Sequence, residues 1–466
     1  MKTFIAFILI FCSNAERFLI TLHNNNINNI DNVRTLDTVN VGNFSGYVIE
    51  TSLSFSELKS IKNIKTVEPD HEIYVPDVFV DFNNKQWGLD RIDQRDLPLD
   101  NVYNPSNDGN GVYIYMIDTG IRSNHIEFES RAINGWNFVN NNNKPIDGHG
   151  HGTHVSSTAT GKTVGVAKKA IPIGVKVLDD TGSGSYAAVI KGIEWAVKHA
   201  KANKKCGIIS MSLGGPKNTF LNSVVNNAVE QGVNVIVAAG NAGTDACLSS
   251  PASAEKAITV GSTDSRDYVS YFSNIGTCVD IFAPGSSIYG AWSTTKNSYV
   301  TISGTSMATP HVAGALALYL HQNGCNADIS KFIDYSTKNT LKGMSPNTAN
   351  RLVYTKFDYC PSFDSFVDCP KKSKNDCKGT CSWCVNSKTC SAKGNCEGIY
   401  SNCTMAPTTC PTTPAPTRIS CPPRWLKSFC SRKDKKNDCA SSSRCEWCES
   451  TGICKVSGWC NRKYCF

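Results

Sequence analysis

Two stretches of this chain are apolar at nearly every position: Val112-Tyr113-Ile114-Tyr115-Met116-Ile117 and Val233-Asn234-Val235-Ile236-Val237-Ala238. A strand with one wet face alternates polar and apolar side chains. Runs without alternation suit strands buried on both faces, as in a parallel sheet covered by helices. Residues 187–202 between them have helical spacing, and short apolar strands alternate with helix-length segments from about Asp81 to Phe357. The expected architecture is α/β, a doubly wound parallel sheet. Such sheets bind ligands beyond the carboxyl ends of their strands, and Asp118 and Asn241 follow the two apolar runs.

Chemistry-bearing residues cluster in this region. Ser306 lies in Gly304-Thr305-Ser306-Met307-Ala308-Thr309-Pro310-His311, at an expected helix start with Pro310 in the first turn. A serine hydroxyl is a weak nucleophile until an imidazole removes its proton, and that imidazole needs a third group to fix its tautomer. His151, between Gly150 and Gly152, offers the imidazole, and the glycines leave room beside its ring. Asp118 offers the carboxylate, at a strand end where a charge is costly unless paired. Asn241 can donate its amide to a tetrahedral oxyanion. Each residue also has a plainer reading: Ser306 as a helix cap, Asp118 and Asn241 as turn residues. His149, His151 and His154 could be weighed as metal ligands, but no carboxylate or cysteine completes a ligand set nearby.

Taken together, five runs resemble the subtilisin-like serine proteases, and within them the proteinase K branch. They are Ile117 to Ile121, Asp147 to Val155, Ser212-Leu213-Gly214-Gly215, Ala238-Ala239-Gly240-Asn241, and Gly304 to His311. The order Asp118, His151, Ser306 is the one the family uses. The resemblance spans Trp87 to Tyr354 and implies a serine endopeptidase acting through an acyl-enzyme on Ser306, with Asn241 in the oxyanion hole. It implies a peptide substrate lying as a strand between Gly182-Ser183-Gly184 and Ser212-Leu213-Gly214. The primary pocket would be lined by Ser212, Leu213, Gly214, Ala238, Ala239 and Gly240, with Tyr186 walling an outer pocket, which suits cleavage after large apolar residues. It also implies a Cys247–Cys278 disulfide and a structural calcium at Asp280 with the backbone of Glu255 and Ala257. Cys206 and Cys325 have no counterpart in the resemblance and are candidates to bridge each other.

The flanks carry their own signals. Lys2 and the apolar run to Cys12, followed by Ser13-Asn14-Ala15, read as a secretory leader over 1–15 that is too short to span a bilayer. Residues 16–80 resemble the inhibitory prosegment of the same family, through Phe44-Ser45-Gly46-Tyr47 and Val67-Glu68-Pro69-Asp70. Strands are expected at 18–22 and 46–50, a helix at 54–62 and a loop at 24–29, and the peptidase domain at 81–357 with a mature start near Val80 or Asp81. Of 22 cysteines, five precede residue 330 and 17 lie between Cys360 and Cys465, a density that implies disulfides and an extracellular setting. They form a repeat, 360–403 and 421–466, around the cores Cys381-Ser382-Trp383-Cys384 and Cys445-Glu446-Trp447-Cys448. These cores resemble the cysteine-rich modules of plexins, semaphorins and integrins, which implies a ligand of unknown identity. The Thr/Pro-rich segment 404–420 reads as a stiff linker, and Cys410 within it has no partner in either repeat. A net charge of +8 over 466 residues does not point to nucleic acid. An adhesion protein using the protease fold as a platform, or a peptide ligase sharing the acyl-enzyme, are the competing readings; all four active-site residues being present favours the protease.

Overall fold

The structure is a computed structural model that describes residues 15–27, 30–76, 79–81 and 86–357, and four short strands of the cysteine-rich tail. The leader, the linker 404–420, Cys410 and most of both repeats fall outside the described residues. Residues 1–359 and 360–466 form two units.

The N-terminal part is a four-stranded antiparallel sheet in the spatial order Val33–Val41, Phe44–Thr51, Glu16–Leu22, Ile64–Pro69. One helix, Phe55–Ser60, covers it, shorter than the 54–62 expected. Ser54 caps that helix: its hydroxyl accepts from the Glu57 N–H while the Glu57 carboxylate accepts from the Ser54 N–H. The run Phe18-Leu19-Ile20 is apolar on both faces, and the structure shows why. Phe18 and Ile20 join Tyr47, Ile49 and Leu58 in a small core of this sheet's own. Leu19, with Val39, Val41 and Val48, belongs instead to the core of the larger domain, beside Tyr186, Phe220 and Val224. The small sheet is therefore docked.

In the larger domain nine strands form one sheet. Their spatial order is Thr337–Lys338, Arg351–Leu352, Ile281–Pro284, Ile258–Thr263, Asn234–Ala238, Gly207–Met211, Tyr113–Asp118, Ile171–Lys176, Ile133–Asn137. All neighbours are parallel except the two-residue edge pair 337–338 and 351–352. Helices Tyr186–Asn203 and Thr219–Glu230 lie on the face that meets the small sheet. Helix Thr305–Asn323 runs through the core on the other face, packed on helix His151–Thr160. Its residues from Thr305 to Leu320 are all buried, so it has no polar stripe. This is the doubly wound α/β architecture that the apolar runs predict.

Among the described residues two disulfides are formed, Cys206–Cys325 and Cys247–Cys278, closing separations of 119 and 31 residues. In the second unit both repeats fold their Cys-x-Trp-Cys core as one strand of a hairpin. Trp383 stands opposite Cys390 in the first, and Trp447 opposite Cys454 in the second.

Candidate active site

Asp118 ends a central strand and is 1% exposed. Its Oδ1 lies 2.8 Å from His151 Nδ1 and also accepts the Thr119 N–H at 2.7 Å. His151 opens the helix His151–Thr160 and is wholly buried. The flanking glycines do not keep space for a ligand, as expected from sequence; the protein itself fills it. Gly150 has φ +115°, and a Cβ there would stand 2.2 Å from the Trp292 ring. A Cβ at Gly152 would be 2.1 Å from the Gly120 carbonyl oxygen. These close approaches clamp the base helix between the strand end and Trp292.

In sequence Asp147 carries no role of its own, and the structure supplies one. Its Oδ1 accepts from Thr119 Oγ1 and from the N–H groups of His149 and Gly150, and its Oδ2 accepts from the N–H and hydroxyl of Thr153. Thr119 Oγ1 in turn accepts the Gly152 N–H. One buried carboxylate thus ties the strand carrying Asp118 to the helix carrying His151 and satisfies donors at that helix's start. The sequence signal was an acidic residue just ahead of a helix with threonine in its first turn.

The other two histidines do not gather round a metal. His154 is buried with Nε2 on the Ile288 carbonyl, and burial pushes its pKa down to about 3. His149 is half-buried against Trp292 and its pKa is lowered, by burial first and then by His151. Among the described residues no group of three His, Cys, Asp or Glu is placed to hold a metal ion.

Ser306 is the second residue of helix Thr305–Asn323 and is wholly buried. Pro310 sits in the second turn of this helix, not the first. It lacks the N–H that would bond the Ser306 carbonyl. That carbonyl is satisfied from outside the helix, by the Ser212 hydroxyl at 2.8 Å. In return the Ser306 hydroxyl donates to the Ser212 carbonyl at 3.4 Å. His151 Nε2 is buried with no hydrogen-bond partner among the described residues.

Asn241 Oδ1 accepts from the N–H of Thr305 at 2.9 Å and from its hydroxyl at 2.7 Å. Asn274, which the sequence did not single out, pins the loop before it: Nδ2 donates to the Ala239 carbonyl, and Oδ1 accepts from Ala242 and Thr244. Gly240 has φ +102°, and a Cβ there would stand 2.5 Å from that nitrogen.

Ser212-Leu213-Gly214 and Ala238-Ala239-Gly240 leave the sheet from neighbouring strand ends, 207–211 and 234–238. Gly182-Ser183-Gly184 faces them across a groove, and the groove is filled. Residues Glu72–Tyr74 form a strand antiparallel to Ser183–Ser185, and Tyr74 exchanges two backbone hydrogen bonds with Gly214, at 3.2 and 3.1 Å. Val75 donates to the Gly182 carbonyl at 3.0 Å. Ile73 is wholly buried in the cluster that includes Leu178, Tyr186 and Leu213. Beyond it, Phe79–Asp81 pairs with Ser298–Ser303, the strand that leads into Gly304. The chain therefore lies in its own groove as an extended strand.

An imidazole oriented by a carboxylate, a serine at a helix start and an amide whose oxygen is held by that helix start are the groups acyl transfer calls for. Comparisons agree. The model of the Subtilase family matches residues 109–363. An alkaline serine exoprotease A from Vibrio alginolyticus is 48% identical over 60% of this chain and 52% of its own length, so this chain spans about half of that relative. An extracellular serine proteinase from a Thermus strain is 45% identical over 65% of this chain and 73% of its own. The crystal structure of a cold adapted subtilisin-like serine proteinase superposes with a TM-score of 0.56 at 46% identity, covering 59% of this chain and all of that one.

Proposed function

The chain belongs to the subtilase family and is a subtilisin-like serine endopeptidase, and from that premise we propose that it is a proteinase K-type enzyme secreted as a zymogen. The observation that supports latency is the strand Glu72–Tyr74 paired in the groove. Two carboxylates of the same segment help hold it. Glu68 accepts from the N–H and hydroxyl of Thr219 at the start of helix Thr219–Glu230. Asp70 accepts the Ala187 N–H at the start of helix Tyr186–Asn203 and pairs with Arg17. Anions at helix starts meet unpaired N–H groups and the positive end of the dipole. Burial raises the Asp70 pKa, so this carboxylate is costly to keep ionised without those donors.

When the segment leaves, a substrate strand takes its place between Gly182-Ser183-Gly184 and Ser212-Leu213-Gly214. Ser306 Oγ attacks the substrate carbonyl carbon while His151 Nε2 takes the hydroxyl proton. Asp118 holds the Nδ1–H tautomer and stabilises the imidazolium. The oxyanion forms at the helix start, where the Asn241 amide donates to it. His151 then protonates the leaving amine as the carbon–nitrogen bond breaks, leaving an acyl group on Ser306. Water, activated by the same imidazole, releases it. The pocket between Ser212–Gly214 and Ala238–Gly240 is bordered by small residues, which suits a large apolar side chain before the cut bond.

Calcium is a structural proposal. Asp280 is half-buried, its Oδ2 accepts the Thr259 N–H at 2.8 Å, and desolvation raises its pKa, a penalty a cation would relieve. Its other oxygen and the main-chain carbonyls of Glu255 and Ala257 are the hard donors calcium prefers. Bound there, the ion would brace the turn before strand 258–263 and take no part in catalysis. Chelation is expected to lower the melting temperature of the Ser306→Ala protein reversibly; an unchanged melting temperature in chelator removes calcium from this account. The tail repeats are proposed to bind an unidentified ligand and position the enzyme outside the cell. No described helix is long and apolar enough to cross a membrane.

A fluorophosphonate probe tests the central reading. The matured chain should label, and Ser306→Ala and the full precursor should not. Labelling of Ser306→Ala at the wild-type level would overturn the assignment of the nucleophile.

A further inference from the structure

Among the described residues His149 joins no metal cluster, yet its ring borders the groove. The residue is held at its backbone and at its ring. Asp147 Oδ1 accepts the His149 backbone N–H, and His149 Nδ1 accepts the His151 N–H at 3.4 Å. The Trp292 ring stands 6.3 Å away, centre to centre. A neutral imidazole whose Nδ1 accepts carries its proton on Nε2. Burial lowers the pKa of this histidine and so favours the neutral form. Nε2 is also the ring atom nearest Gly182. A Cβ at Gly182 would stand 3.3 Å from that nitrogen and 3.6 Å from the Val75 Cβ. Because glycine supplies only hydrogen there, the Nε2–H and the Val75 side chain border the same space. Val75 is the residue whose N–H donates to the Gly182 carbonyl, at 3.0 Å. A substrate residue making that backbone bond would bring its own side chain beside His149.

We propose that His149 selects substrates with an uncharged hydrogen-bond acceptor, glutamine or asparagine, at the position that bonds Gly182. The inference rests on the reading above, in which a substrate strand takes the place of the docked segment. It adds a second preference to the apolar one of the primary pocket. The Nε2–H donates to the side-chain carbonyl oxygen of the amide. Valine has no such acceptor to offer. A carboxylate would accept as well, but acids already border this space. Asp179 Oδ1 accepts the N–H groups of Thr181 and Ser183, on either side of Gly182. The Asp180 carboxylate lies against Gly148, where a Cβ would be 2.3 Å from its oxygen. Lys176 pairs with Asp180 at 2.9 Å, whereas these donors to Asp179 are neutral. An added negative charge is repelled there, and an amide is not.

The test measures kcat/KM of the matured enzyme on tetrapeptide anilides with phenylalanine next to the anilide. Glutamine, or norleucine as its near-isostere without the acceptor, replaces alanine at each preceding position in turn. At one position only, glutamine should exceed norleucine by about 3- to 10-fold, the effect of one neutral hydrogen bond. In His149→Phe, which keeps a ring and removes the N–H, the two should become equal. Each ratio is taken within one enzyme, so a general loss of activity cancels. The wild-type comparison needs no variant to fold. No excess of glutamine at any position in the wild type, or an excess that persists in His149→Phe, would overturn the role of His149 and leave the proteinase reading standing. Glutamate exceeding glutamine at that position would overturn the preference for an uncharged acceptor. Hydrolysis undiminished in Ser306→Ala would instead sink the proteinase reading, and this inference with it.

Discussion

Replacing Thr305 by valine should slow turnover without weakening substrate binding, and the size of the effect follows from two hydrogen bonds. The Thr305 hydroxyl donates to Asn241 Oδ1 at 2.7 Å and accepts the Gly240 N–H at 3.2 Å, while the Thr305 N–H gives Asn241 a second anchor at 2.9 Å. Valine keeps the second anchor and removes the first. A neutral hydrogen bond contributes about 0.5–1.5 kcal/mol, so kcat should fall about 3- to 10-fold as the amide loses alignment. Removing the amide altogether, in Asn241→Ala, should cost about 10²–10³ in kcat. Because Thr305 acts through Asn241, Thr305→Val should cost little more once Asn241 is already alanine. Thr305→Ser retains the hydroxyl and should stay near wild type. The assay is steady-state hydrolysis of a peptide anilide, with kcat and KM separated. A Thr305→Val penalty that persists in full in the Asn241→Ala background, or that lies wholly in KM, would refute this chain of support.

Two further expectations concern stability, measured on Ser306→Ala protein to prevent self-digestion. His154 and His311 are buried, and burial pushes their pKa values to about 3 and about 4. The unfolded chain, with histidines near 6.5, binds more protons below that pH, so this stabilisation is complete above about 6.5 and lost as pH falls toward 4. Each contributes a slope of about 1.4 kcal/mol per pH unit in that window, and His154→Gln should remove one such slope in urea unfolding between pH 6 and 5. An unchanged slope would contradict its being buried neutral. The disulfides should differ in weight: by the chain-entropy model, closing 119 residues through Cys206–Cys325 stabilises by about 4.9 kcal/mol and closing 31 through Cys247–Cys278 by about 3.7. Paired Cys→Ala variants compared by denaturant unfolding check the order, and a larger loss for the shorter loop would reverse it.

The sheet was legible because both of its faces are covered. Runs such as 112–117 and 233–238 have no alternation to hide them, and the observed strands 113–118 and 234–238 agree within a residue. Asp118, His151 and Ser306 stand out in the sequence because each sits in a short run at what the structure shows to be a strand end or helix start. What the sequence hid lies in contacts between distant segments. Asp147 reads as one more turn residue until Thr119, Thr153 and two backbone donors converge on it. Strand 33–41 has exposed or half-exposed side chains at most positions, so little apolar pattern marks it. Strand 72–74 is three residues long and exists because the groove supplies both of its neighbours. Gly150 and Gly152 showed the need for space, but only the fold reveals that Trp292 and the Gly120 carbonyl occupy it.

The exchange between Ser212 and Ser306 limits how this enzyme can be re-engineered. Pro310 leaves the Ser306 carbonyl without its helical donor, and a single hydroxyl on the pocket wall replaces it. A residue of the proposed pocket wall is thereby also a structural support of Ser306. Libraries that vary position 212 to change selectivity will mix altered recognition with a displaced reacting group, and most losses there will be misread as poor fit. The opposite wall has no such double duty at Ala238, whose side chain is a lone methyl group. Selectivity is better sought from that side, with Ser212 held fixed.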